Sequence, residues 1–269
     1  MKVPISVGDI VEAASLQLVV TATTGATHID ARALAQRGVP LLTLKGEKQV
    51  LQALTPAAEL SWSLVMACAR RLRPAIAHVD AGRWNRVEFP GLMLKGRVIG
   101  IIGMGRIGGW MTRYAVAFGM EVVYFDPFVK QAPENTRAVS LEELVSIADV
   151  VSLHVHATDE NKNLLNRELI AKFKSGAIFI NTSRGELTDE QALVEALQAG
   201  RLGAVGVDVL SGEPDIIHNP LWHYAQENDQ VVITPHIGGF CPDAVDHVVT
   251  FSCNRILEYF HASAKGVGE

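Results

Sequence analysis

Glycine recurs as Gly103-Met104-Gly105-Arg106-Ile107-Gly108 directly after the apolar run Val98-Ile99-Gly100-Ile101-Ile102. Few backbone paths accept that order. A strand must end in a turn tight enough to exclude a Cβ, and a helix must start within a few residues. The helix is expected from Ile107 to Phe118, and the following apolar run, Val122-Val123-Tyr124-Phe125, ends in Asp126. That places a carboxylate at about the 20-residue separation expected of a dinucleotide site. Gly103 permits the turn, Gly105 lets the backbone approach a pyrophosphate, and Gly108 lets the helix pack on the strand. The helix N-terminus, at Arg106 and Ile107, offers free N–H groups and partial positive charge to phosphates.

Strand and helix patterns alternate from about residue 96 to 235, which predicts a doubly wound parallel sheet of the α/β class. Strands are expected at Val98 to Ile102, Glu121 to Phe125, Val150 to His154, Ala177 to Asn181, Ala204 to Val209 and Val231 to Thr234. Their near-continuous apolar character suits a sheet covered on both faces. Helices are expected at Leu141 to Ala148, Asn163 to Phe173 and Asp189 to Gln198, the last capped by Thr188 and stopped at Gly200. The first part reads as a different unit: strand Leu16 to Thr21, helix Ile29 to Arg37, strand Val39 to Leu44. A long helix, Pro56 to Leu72, with Trp62, Val65, Met66 and Ala69 on one face, reads as the connector. Asp243 to His261 is helical in pattern. The domains expected are 1–72, a partial substrate domain with its connecting helix; 73–239, the dinucleotide-binding domain; and 240–269, a returning helix.

Composition excludes several classes. A net charge of −5 over 269 residues, with no Lys/Arg block, argues against a nucleic-acid surface. No apolar run reaches the roughly 18 residues of a membrane span. Met1 to Ile5 has no apolar signal core, so a cytosolic location is expected. Cys68, Cys241 and Cys253 form neither a CxxC pair nor a zinc spacing, and read as reduced thiols. The histidines show no HExxH or related spacing, so no metal site is expected.

An enzyme that reduces a carbonyl with a nicotinamide needs a cation for an anionic substrate, an acid for the new hydroxyl, and a group that tunes that acid. Open α/β sheets place such groups beyond the carboxyl ends of their strands. Arg184 follows the strand ending at Asn181, Glu213 lies beyond the one ending near Val209, and His236 follows the last. Taken alone, Arg184 also reads as a surface arginine and Glu213, beside Pro214, as a turn carboxylate. His154 and His156 flank Val155 at a strand end and point to opposite faces. His154 reads as a cofactor-pocket wall or as a core histidine. His28, His78 and His247 read as structural or solvent groups.

Five segments together resemble the D-isomer-specific 2-hydroxyacid dehydrogenases. They are Gly100-Ile101-Ile102-Gly103-Met104-Gly105-Arg106-Ile107-Gly108, Asn181-Thr182-Ser183-Arg184-Gly185, Gly206-Val207-Asp208-Val209, Gly212-Glu213-Pro214 and Thr234-Pro235-His236-Ile237-Gly238-Gly239. The resemblance implies a Rossmann NAD domain with a second, smaller and incomplete flavodoxin-like substrate domain. It implies hydride transfer between NAD and a small 2-keto or 2-hydroxy acid. By the same resemblance Arg184 binds and polarises substrate, His236 is the acid/base and Glu213 its partner. Asp208 is expected at the nicotinamide carboxamide, Asp126 at the adenosine ribose, and Thr182 and Gly238 in the cofactor pocket. The alternatives are a dinucleotide-sensing, corepressor-like binding protein and a catalytically impaired truncated homologue.

The chain departs from the family in two places. The family often has His-x-Pro where this chain has His154-Val155-His156-Ala157. Met1 to Ala14 resembles the helix before the family's fourth substrate-domain strand, so the first strands are expected to be missing. The segment Thr23-Thr24-Gly25-Ala26-Thr27-His28-Ile29-Asp30 resembles the loop whose amides meet the substrate carboxylate, which puts Thr24 and Gly25 at the substrate. It lacks the usual second glycine. The apolar surplus of Pro56 to Trp84, with the family's habit of pairing cofactor domains, implies a two-fold homodimer.

Overall fold

A computed structural model describes residues 5–265 except Thr27 and Ala132. By internal contacts the chain divides into Thr55–Gly239 and a smaller unit of Met1–Leu54 with Phe240–Glu269.

The smaller unit contains α1 (Val7–Glu12), β1 (Val19–Val20), α2 (Ala31–Gln36), β2 (Leu41–Leu42), α3 (Lys48–Gln52) and the terminal helix Pro242–Lys265. β1 and β2 pair in parallel, Val19 against Leu41 and Val20 against Leu42. Both strands are shorter than the apolar runs Leu16 to Thr21 and Val39 to Leu44 imply. Ile10, Val19, Ile29, Ala33, Leu34 and Val39 form the core, so α1 and α2 each bury one face against β1. Ser6 caps α1 through the Asp9 amide while Asp9 returns a bond to the Ser6 amide, and Asp30 caps α2 through Ala33. Of the helix expected within Met1 to Ala14, Met1 to Pro4 lie outside the described residues.

The larger unit opens with α4 (Pro56–Ala69) and α5 (Leu72–Asp80). One helix to Leu72 was expected; Arg71, at φ 48°, breaks it into two. Then follow β3 (Val98–Ile102), α6 (Arg106–Ala117), β4 (Glu121–Phe125), β5 (Thr136–Ala138), α7 (Leu141–Ile147) and β6 (Val150–Leu153). The unit closes with α8 (Arg167–Ala171), β7 (Ala177–Asn181), α9 (Glu190–Gln198), β8 (Leu202–Val207), α10 (Pro220–Glu227) and β9 (Val231–Ile233). The helix Pro242–Lys265 is α11.

The described strands of this unit form one seven-stranded parallel sheet in the order β5-β4-β3-β6-β7-β8-β9. Chain order reverses between β3 and β6, the topological switch point where such sheets bind ligands. One face is covered by α7 to α10 around Phe173, Phe179, Leu144 and Leu153; the other by α4 and α6 around Trp62, Val65, Ile99, Ile101 and Met111. Burial on both faces is the physical reason the strands read as unbroken apolar runs. α4, grouped by its sequence with residues 1–72, packs on α6, β7 and β8. Truncating a fully buried residue such as Phe179 in this core would cost about 3–5 kcal/mol.

Several local expectations need correction. Asp189, not Thr188, caps α9, its carboxylate accepting the Ala192 amide at 2.9 Å. Thr188 is buried instead, at 3 % exposure. The helix expected over Asn163 to Phe173 covers only Arg167–Ala171, because Asn163 takes φ 53° and Asn166 supplies the cap. β8 starts two residues before Ala204, and β5 and α10 were not anticipated. No helix among the described residues is long and apolar enough to cross a membrane.

Candidate active site

Parallel strands end at the same edge of a sheet, so the turns after β3, β4, β6, β7, β8 and β9 lie along one rim. Every site residue expected in the larger unit falls on that rim.

The glycine turn has the geometry its spacing requires. Gly103 takes φ 91°, and a Cβ there would come within 2.5 Å of the His154 carbonyl oxygen. A Cβ on Gly108 would meet the Gly103 oxygen at 2.2 Å, while Gly105 faces open space. The turn therefore forms a cradle beside Gly105 at the N-terminus of α6, where Arg106 and Ile107 begin the helix. Asp126, at the end of β4, accepts the Met104 amide at 2.8 Å and the Phe128 amide at 2.9 Å. Each carboxylate oxygen keeps a lone pair for another donor. Arg137 is held by Glu143 at 2.7 Å, and Lys130 is exposed.

His154 directly follows β6 at the switch point, its amide donating to the Ile102 carbonyl at 2.7 Å. Its Nε2 lies 2.8 Å from the Ser152 hydroxyl, and its Nδ1 is buried with no hydrogen-bond partner. Burial pushes its pKa down to about 3, so the ring is neutral. His156 is exposed. An orphaned ring nitrogen beside the glycine turn, with the open cradle at Gly105, fits a dinucleotide lying across the switch point.

After β7 the chain is pinned on both sides. Asn181 accepts the Ser183 amide and donates to the Arg184 carbonyl, and the Ser183 hydroxyl donates to Leu153 across the switch point. Thr182 turns toward α4. The Ser61 hydroxyl donates to Ala57, so Thr182 donates to Ser61, at 2.7 Å. The half-buried Arg184 reaches its neighbour's carbonyl at 2.6 Å, a weak engagement for five donors.

Asp208, 1 % exposed, spends its carboxylate on the turn after β9. It accepts from the Thr234 hydroxyl at 2.5 Å, the Ile237 amide at 2.9 Å and the Gly238 amide at 2.7 Å. The turn so held carries His236 at φ 54°, a left-handed conformation unusual for a non-glycine residue and common at functional sites. His236 Nδ1 sits 2.5 Å from Glu213 Oε1, both side chains about one-third exposed (37 % and 32 %). Burial alone would raise the Glu213 pKa. The hydrogen bond and charge of His236, the Leu210 amide and the charge of Arg184 outweigh it and bring the pKa below its ordinary value.

Arg184, Glu213 and His236 are each marked in the sequence, and the fold brings them to one rim. Glu190, a buried carboxylate behind the Glu213 loop, is not marked there. Its position in a helical first turn gave no sign of burial. Thr24 and Gly25 belong to the smaller unit, where the Thr23 hydroxyl donates to the Gly25 carbonyl at 2.7 Å. Among the described residues no group of three or more His, Cys, Asp or Glu side chains is placed to hold a metal ion.

Residues 62–238 match the family model of the D-isomer specific 2-hydroxyacid dehydrogenase NAD binding domain. The chain is 36 % identical over 240 residues to hydroxypyruvate reductase of Thermotoga maritima, covering 88 % of this chain and 75 % of that protein. It is 35 % identical over 253 residues to D-3-phosphoglycerate dehydrogenase of Methanocaldococcus jannaschii, covering 92 % of this chain but only 46 % of the relative. The structure of D-lactate dehydrogenase from Aquifex aeolicus, complexed with NAD and lactic acid, superposes with a TM-score of 0.84 at 26 % identity. That match covers 97 % of this chain and 81 % of the other. The chain belongs to the D-isomer specific 2-hydroxyacid dehydrogenase family and contains its NAD-binding domain.

Proposed function

We propose that this chain is an NAD-dependent oxidoreductase that moves a hydride between nicotinamide and a small 2-keto or 2-hydroxy acid. The observation that supports it most is the His236–Glu213 pair, 2.5 Å apart on the rim that also carries Arg184 and the glycine turn. In this reading Gly103, Gly105, Arg106, Ile107 and Gly108 hold the pyrophosphate, Asp126 the ribose, and His154, Thr182, Asp208 and Gly238 wall the nicotinamide end. When bound, the nicotinamide supplies the hydride for the keto carbon. Arg184 grips the substrate carboxylate and polarises the keto oxygen with its planar fork. Glu213 accepts from His236 Nδ1 and fixes the ring, which leaves Nε2 to give its proton to the oxygen.

A screen of NADH oxidation over small 2-keto acids tests the reading, with Arg184→Ala alongside. Turnover of at least one acid, lost in the variant, is expected. NADH binding without turnover of any acid would instead favour a dinucleotide-sensing protein.

We also propose that the chain pairs as a homodimer. α5 exposes Leu72, Ile76 and Val79, and the stretch beyond it exposes Trp84, Val87 and Met93. Exposed apolar side chains gathered in one stretch of sequence suit an interface, and two-fold pairing is the commonest way to cover it. Light scattering at micromolar concentration should give twice the chain mass. A monomer there would remove the proposal.

A further inference from the structure

Behind the acid/base pair lies Glu190, in the first turn of α9 and only 8 % exposed. Acidic residues in helical first turns are usually solvated partners of the helix dipole. This one faces inward. Its Oε1 accepts the Ser211 amide at 2.9 Å and its Oε2 the Asn219 side-chain amide at 2.5 Å. Asn219 cannot turn round to relieve that demand, because its oxygen caps α10 through the Leu221 and Trp222 amides. Its Nδ2 also donates to the Ser211 carbonyl at 3.1 Å. One carboxylate therefore closes the loop from Ser211 to Asn219 at both ends, and Glu213 stands on that loop. The loop's other side backs onto Gly185, next to Arg184, where a Cβ would come within 2.1 Å of the Ser211 nitrogen.

We infer that Glu190 is a positioning residue: by clamping Ser211 to Asn219 it holds Glu213 against His236. The inference rests on the dehydrogenase reading for its chemical meaning, but the clamp is tested without turnover. Burial, and less strongly the charge of Glu213, raise the Glu190 pKa, while Ser211 and Asn219 oppose the rise. Glu190 is thus the weaker acid of the two, already protonated where Glu213 titrates, and this gives the test its sign.

The Glu213 carboxyl, followed by carbon-13 NMR, should titrate below the ordinary range in the unaltered protein. In Glu190→Ala the loop is released, Glu213 loses His236, and its titration should move up toward the ordinary value. Mere removal of a neighbouring acid would leave it unmoved or move it slightly down. A downward shift, or none, would overturn the inference. Glu190→Asp keeps the charge but is too short to span both donors. It should also shift Glu213 upward, and it decides the matter if the alanine variant does not fold. In a His236→Ala background the upward shift should vanish, and its persistence would count equally against the clamp. In an active enzyme kcat should fall about 10- to 100-fold with the NADH KM unchanged, the usual penalty for a displaced catalytic group. A protein that shows the titration shifts but reduces no 2-keto acid would retain the clamp and lose the dehydrogenase reading.

Discussion

The carboxylate of Asp208 holds the backbone amide of Gly238 at 2.7 Å, and by doing so fixes the turn on which His236 stands. The contact leaves no room for a side chain, since a Cβ on Gly238 would lie 2.9 Å from Asp208 Oδ2. Asp208→Ala would leave the Ile237 and Gly238 amides and the Thr234 hydroxyl without their acceptor. A loss on the order of 3 kcal/mol of stability is expected from orphaned buried donors. Urea unfolding at neutral pH measures it; an unchanged midpoint would mean that the turn is held by other contacts.

His236→Ala should cost on the order of 10² to 10⁴ in the rate of keto-acid reduction, the usual worth of a positioned general acid. NADH affinity should stay within about twofold, since the substitution lies on the acid side of the site. Reduction needs the charged imidazole and oxidation the neutral one, so the two directions should show opposite pH limbs. Steady-state rates in both directions across pH decide this. Parallel limbs, or near-normal turnover in the alanine variant, would rule out the acid/base assignment.

Asp126 should select NADH over NADPH, because its carboxylate repels a 2′-phosphate. Arg137, the nearby cation most able to blunt that repulsion, is already committed to Glu143. Fluorescence titration should give at least about tenfold tighter NADH binding, a differential of about 1.4 kcal/mol. Asp126→Ser should narrow the gap. Equal affinity in the unaltered protein would argue against Asp126 as the ribose ligand.

Asp149 predicts a stability window in acid. It is 7 % exposed and accepts from Lys174 at 2.8 Å, the Val98 amide at 3.0 Å and Arg97 at 3.2 Å. Burial opposes ionisation, but these partners win and lower its pKa below the ordinary value for an aspartate. A depressed folded pKa adds stability that is present above the unfolded value and lost as pH falls through the folded one. Asp149→Asn should therefore destabilise by about 1–3 kcal/mol near neutral pH, allowing for partly exposed partners. The difference should shrink below about pH 4. Urea unfolding at both pH values checks it, and a penalty constant across pH would point to a steric cause.

The glycine turn and the central strands were legible in the sequence because local physics sets them. Gly103 must bend and Gly108 must lie against a backbone, and a strand buried on both faces must be apolar throughout. β5 escaped notice for the converse reason. It is an edge strand of Thr136, Arg137 and Ala138, largely exposed, with no apolar run to announce it. α10 did have a signal in Asn219-Pro220, a cap followed by a first-turn proline, but its length hid it. The break at Arg71 had none, since arginine seldom takes the left-handed backbone it adopts there.

The division at the site follows the same line. Arg184, Glu213 and His236 were marked by residue type and by position after strands, which one-dimensional spacing conveys. Their distances were not, because only parallel pairing of β7, β8 and β9 brings turns separated by some 20 to 50 residues to one rim. Burial also belongs to the tertiary structure. Asp208 and Glu190 look like ordinary acids in the sequence, yet each is enclosed by a loop folding over it and then holds that loop in place. The sequence alone determined the elements whose constraint is local: glycine turns, caps and strands with two apolar faces. Tertiary structure alone decided which carboxylates lost their water and which partners replaced it, because desolvation depends on neighbours distant in the chain.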